Sequence, residues 1–190
     1  MHFNPSSYGP AVATLLEGAK CNELGPGTPD DALRSSLKGL TPETIAAPHP
    51  LQDKDMALAC IAGLWLRRDF LDESHRVSQD IENPTGSYWH GIMHRREGDF
   101  GNAKYWFRRV GKHPVFEPLA IAASQLAAEA QAHPTAGYLV EQKDWDPLAF
   151  VDLCQRALDG NSPVGKLCMM VQRREWELLF DDCYRRAIGA

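Results

Sequence analysis

Residues 87–114 read SYWHGIMHRREGDFGNAKYWFRRVGKHP, and the spacing of their apolar residues decides the fold. Phe100, Ala103, Phe107 and Val110 fall at i, i+3, i+7 and i+10, the stripe of a helix with one buried side. Upstream, His90, His94 and Glu97 share one helical face at i, i+4 and i+7, and Trp89 and Met93 share the next. Between the two patterns stands Gly98-Asp99, with glycine where a helix ends in a left-handed residue. The stretch therefore predicts a helix, a tight turn and a second helix. On that second helix Asn102, Trp106 and Arg109 lie along one face, and Lys104, Arg108 and Lys112 along another.

Outward from this unit the helical period continues. Candidate helices are 53–68, 70–81, 87–97, 100–110, 115–132, 146–158 and 163–188, and no alternating run of β-branched residues interrupts them. LAIAASQLAAEAQA from Leu119 is rich in alanine, the residue with the lowest helical cost. Gly111 and Gly160 follow helical patterns, as Gly98 does. Residues 1–50 differ: they hold seven of the thirteen prolines, and proline removes an amide donor and fixes φ, so only short helices fit. Two are expected, one over residues 10–19 and one starting at Thr28-Pro29-Asp30-Asp31 before Leu33 and Leu37. The fold class is all-α: residues 51–190 as a bundle of helical hairpins, with a proline-rich arm over residues 1–50 packed on it.

The chain has 190 residues, 44% hydrophobic and 24% charged, within the range of globular proteins. No apolar run reaches the roughly 20 residues of a membrane span. MHFNPSSYGP lacks the pattern of a signal peptide, so a cytoplasmic location is expected. Five widely spaced cysteines without C-x-x-C indicate neither a disulfide framework nor a zinc ribbon. The net charge of −5 argues against general nucleic-acid binding. Within residues 87–114, however, six lysines and arginines face only Glu97 and Asp99, so that segment is +4.

A weak internal repeat relates Gly63, Arg67-Arg68-Asp69, Phe70, Ser74 and Pro84 to Gly91, Arg95-Arg96-Glu97, Phe100, Ala103 and Pro114. Small residues, Gly63 or Gly91 against Ser74 or Ala103, are expected where the helices of each unit cross. Gly91, Gly98-Asp99-Phe100, Ala103, Phe107 and Pro114 give the second unit the spacing of a tetratricopeptide repeat, which it resembles. It departs from that family in being shorter and in carrying His94 where an aromatic is usual; the resemblance implies hairpin geometry and no particular ligand. HRREGDFGNAKYWFRRVGKHPVF is also similar to a group of uncharacterised helical proteins of bacteria and fungi, over residues 55–120, and that likeness implies no activity.

Two kinds of chemistry suit these residues. Arg95, Arg96 and Arg109, interleaved with Trp89, Tyr105 and Trp106, suit an aromatic-walled pocket for a carboxylate or phosphate, because a guanidinium makes paired charge-assisted hydrogen bonds to such groups. His75, His90 and His94 would add donors. The leading expectation is a non-enzymatic binding module for an anionic small molecule or acidic peptide, with no cofactor, no nucleic acid and no membrane partner. Against it stands a purely structural use, each adjacent arginine pair sending one guanidinium to an acidic core partner (Asp69, Glu97, Glu175, Asp181) and one to water. The rival from another class is a metal-dependent, hydrolase-like enzyme: His90-x-x-x-His94 puts two imidazoles one turn apart, Glu97 can complete the site, and His75, Glu73 or His113 can add ligands. Glycine stands where H-E-x-x-H places its base, so that motif is absent. No G-x-S-x-G or phosphate-cradling glycine loop is present either.

Overall fold

The computed structural model describes residues 3–19, 21–130, 134–158 and 160–190, and among these all regular structure is helical. The arm carries α1 (Pro10–Leu16), α2 (Arg34–Lys38) and α3 (Pro42–Ala46). The body carries α4 (Lys54–Arg67), α5 (Leu71–Ser78), α6 (Pro84–Glu97), α7 (Phe100–Val110), α8 (Phe116–Glu129), α9 (Tyr138–Glu141), α10 (Pro147–Arg156) and α11 (Pro163–Ile188). Short 3-10 turns occur at Pro5–Ser7, Asp31–Leu33 and Pro134–Ala136. No described helix is long and apolar enough to cross a membrane.

The bounds of α7 and α11 match the sequence periodicity. α6 begins earlier than expected, because the Asn83 side chain accepts the Gly86 N–H at 3.0 Å and Pro84 takes the first helical position. Gly98 ends it at φ 91°, in the left-handed region. The helix expected from Thr28-Pro29 does not start there; Asp30 instead precedes a 3-10 turn at Asp31. α3, capped reciprocally by Thr41 and Thr44, was not legible from its five residues, nor was α9 from its four. α8 stops at Glu129, short of the expected end at Ala132, and residues 131–133 lie outside the described ones.

α11 and α4 form the spine of the core. Met56, Ala59, Cys60, Leu64 and Leu66 of α4 and Leu179, Phe180 and Cys183 of α11 are buried, and the two helices pack together. α4 is apolar almost all round, as a helix with neighbours on every side must be. At Gly63 an added Cβ would lie 2.9 Å from the Trp89 ring, so this glycine is the notch that seats α6 on α4. Gly91 likewise receives the Phe107 ring of α7, at 3.1 Å from an added Cβ. The small residues thus accept aromatic rings, where the sequence suggested contact with Ser74 or Ala103.

The arginine pairs do not divide into one buried and one solvated member. Arg67, Arg68, Arg95 and Arg96 are all buried. Arg95 forms an ion pair with Glu175, both fully enclosed, and the Tyr88 hydroxyl donates to the same carboxylate at 3.2 Å. Arg96 reaches Asp69 at 2.6 Å, Leu66 O at 2.9 Å and the arm carbonyls of Gly25 and Pro26 at 3.0 and 3.1 Å. Arg68 donates to Leu15 O and Glu17 O at 2.6 and 2.7 Å. Charged donors thus fasten the arm's backbone carbonyls, which its irregular conformation leaves without helical partners.

Candidate three-histidine site

α5, α6 and α7 meet where His75, His90 and His94 converge. One ring nitrogen from each lies within 4.8 Å of the others. The tight α5–α6 connection sets this approach: a Cβ on Gly86 would fall 2.1 Å from the Ile81 carbonyl, so only glycine fits there. Ser74 and Ser78, one turn apart on α5, are buried and keep that helix slim on its inner side. The imidazole of His75 stands edge-on to both rings of α6, at centroid distances of 4.5 Å from His90 and 5.2 Å from His94. His90 and His94 stack at 4.8 Å with planes 18° apart.

Each ring is held by a different device. Glu97 Oε2 lies 2.9 Å from His94 Nδ1, and an acceptor-only carboxylate requires the proton on that nitrogen. Nε2 of neutral His94 then carries the lone pair. The Asn102 amide nitrogen is 3.1 Å from Nε2 and 3.5 Å from Nδ1 of the same ring. The amide is within hydrogen-bond distance of the Nε2 lone pair, so a metal bound at Nε2 would have to displace that contact. Trp106 covers His90, with centroids 3.9 Å apart and planes at 12°. His90 is 2% exposed, and its buried Nδ1 has no hydrogen-bond partner among the described residues. His75 alone of the three is half-buried.

Burial, with His75 and His94 alongside, pushes the pKa of His90 down to about 3. Burial and the neighbouring His94 lower that of His75 too, while Glu97 and Asp72 oppose the shift. Both rings are thus biased to the neutral form in which imidazole binds a metal.

Of the residues singled out in the sequence, His75, His90, His94, Tyr105, Trp106 and Arg109 form one contiguous group. The Arg109 guanidinium lies over the Trp106 ring at 5.3 Å and the Tyr105 ring at 5.8 Å, and donates to Tyr105 Oη at 3.4 Å. Three others belong elsewhere. Trp89 is core, set against Gly63 and Trp176. Arg95 and Arg96 are committed to Glu175 and Asp69, so neither guanidinium is available to a ligand beside Trp106. His113 is not in the cluster: its Nδ1 accepts the Val115 N–H at 3.3 Å and its Nε2 meets Thr85 Oγ1 at 3.2 Å. Glu73 pairs with Arg34.

Asn102 is the contact that a search for ligand-type residues passes over. Its signal was positional, one turn before Trp106 on the same face of α7. No protein-family model, curated protein or solved structure matches this chain.

Proposed function

We propose that the protein works through a single divalent transition-metal ion held by His75, His90 and His94, with coordination positions left open for water or a ligand. The observation that carries this reading is the convergence, within 4.8 Å, of one ring nitrogen each from three imidazoles on two helices, one of them the His90 ring whose Nδ1 has no hydrogen-bond partner among the described residues. A buried polar atom without a partner costs about 1–3 kcal/mol, and a metal bond is one way to recover it. Three protein nitrogens with an open fourth position are the pattern of catalytic rather than structural zinc sites. The Glu97–His94 contact is the carboxylate–imidazole arrangement that orients metal ligands.

Tetrahedral bonds of about 2.0–2.1 Å place ligand nitrogens about 3.4 Å apart. The rings would therefore have to draw together from their present spacing. Solvent reaches the cluster at half-buried His75, while His90 and His94 lie deeper. An ion held by His75, His90 and His94 would supply the Lewis acidity used in metal-dependent hydrolysis.

Competition with a chromophoric chelator tests the reading directly. One equivalent of Zn2+ or Co2+ is expected to bind the wild type with a Kd below 1 μM. His90→Ala and His75→Ala should each weaken binding at least tenfold. Wild-type binding no tighter than that of the two variants removes the proposal.

A further inference from the structure

The surface beside the cluster carries a second feature that metal binding alone leaves unexplained. Three of the six positive residues between Ser87 and Pro114 are neutralised by carboxylates: Arg95 by Glu175, Arg96 by Asp69 and Lys104 by Asp152. Arg109 is not. Its contacts among the described residues are the Tyr105 hydroxyl and the faces of Tyr105 and Trp106. The side chain is exposed, yet the two rings restrict where its guanidinium can go. Trp106 is at once the shelf beneath Arg109 and the cover of His90.

Asn102, Trp106 and Arg109, successive turns of one face of α7, thus run from His94 past His90 to an exposed cation. A guanidinium held by aromatic rings loses less freedom on binding and presents its paired donors to a carboxylate or phosphate. A metal ion held by the three histidines would add a second positive centre, and the half-buried indole between them offers apolar surface to whatever joins the two.

We propose that the ligand of the three-histidine centre is a small organic oxyanion, its carboxylate or phosphate held by Arg109, its body lying on Trp106 and its other end directed to the metal. This rests on the proposed metal site. It differs from the pocket expected from sequence in using one arginine instead of three. Around His75 the acidic Glu97 and Asp72 are accompanied by Arg76, and Arg109 lies beyond Trp106.

Co2+-loaded protein separates the two ideas, because the visible absorption of the metal reports whatever enters its open positions. Titration with succinate and with 3-phosphoglycerate, each anionic at two ends, should shift that spectrum. Acetate and inorganic phosphate, too short to span the indole, should bind at least tenfold more weakly. Arg109→Gln should weaken the two longer anions about tenfold while leaving Co2+ affinity unchanged, and Arg108→Gln, on the neighbouring face, should leave both unchanged. Failure of the wild type to bind Co2+ overturns the metal centre and this inference with it. Co2+ binding with equal anion affinities in wild type and Arg109→Gln overturns the anion assignment alone. A response to one long anion and not the other identifies the group, carboxylate or phosphate, that Arg109 recognises.

Discussion

The indole of Trp106 lies flat on the imidazole of His90, 3.9 Å between centroids and 12° from parallel. This contact ties α7 to the histidine cluster on α6 and shields the ring whose Nδ1 has no partner. Offset aromatic stacking contributes about 0.5–1.5 kcal/mol beyond the area it buries. Trp106→Leu should lower unfolding free energy by at least that amount and move the His90 imidazole resonances, while those of His113 stay in place. Unmoved His90 resonances would mean that the stack is not maintained in solution.

The Arg95–Glu175 pair is fully enclosed, so removal of one partner strands a buried charge. Arg95→Met should destabilise the fold by about 3–5 kcal/mol, and the double change Arg95→Met with Glu175→Leu should recover much of the loss. Chemical denaturation of the four proteins of this cycle measures the coupling.

A Cβ added at Gly63 or Gly91 would meet an aromatic ring at 2.9 or 3.1 Å, closer than ordinary contact. Gly63→Ala must displace the Trp89 indole, and overpacking of this kind costs about 1–3 kcal/mol. Gly91→Leu, against Phe107, should lower the thermal midpoint clearly. An unchanged midpoint in both would remove the account of how α4, α6 and α7 fit together.

His113 gives the acid limb of stability a specific cause. Burial holds its pKa down at about 4, with Asp182 acting upward and Arg186 downward. The unfolded ring, with its ordinary value of about 6.5, binds a proton that the folded ring refuses. Between those values the unfolded state holds more protons, so stability falls as pH drops from about 6.5 to 4. Protonation at Nδ1 would also break the bond from Val115 N–H. His113→Gln should flatten that segment of the stability–pH curve by up to one proton, as read from urea midpoints at pH 7, 6, 5 and 4.

Arg96 holds the arm by the carbonyls of Gly25 and Pro26. Arg96→Met should expose residues 21–30 to limited proteolysis while the helical circular dichroism of the body persists. Resistance equal to that of the wild type would show that Arg68 and the apolar contacts of α1 hold the arm without it.

The sequence by itself determined the helices whose apolar residues repeat over several turns. α7 and α11 have the bounds that their spacing predicts, because helical hydrogen bonds and caps are made between residues a few positions apart. It also determined that His90 and His94 lie one above the other. It could not determine their company. His75 joins them because α5 packs against α6, where Gly86 closely approaches Ile81, and Arg95 turns from the expected pocket because Glu175, 80 residues away, is enclosed beside it. The same residue types suited a surface pocket and a buried ion pair equally well in one dimension. Tertiary packing chose between them, because a charge removed from water is stable only where an opposite charge is enclosed with it.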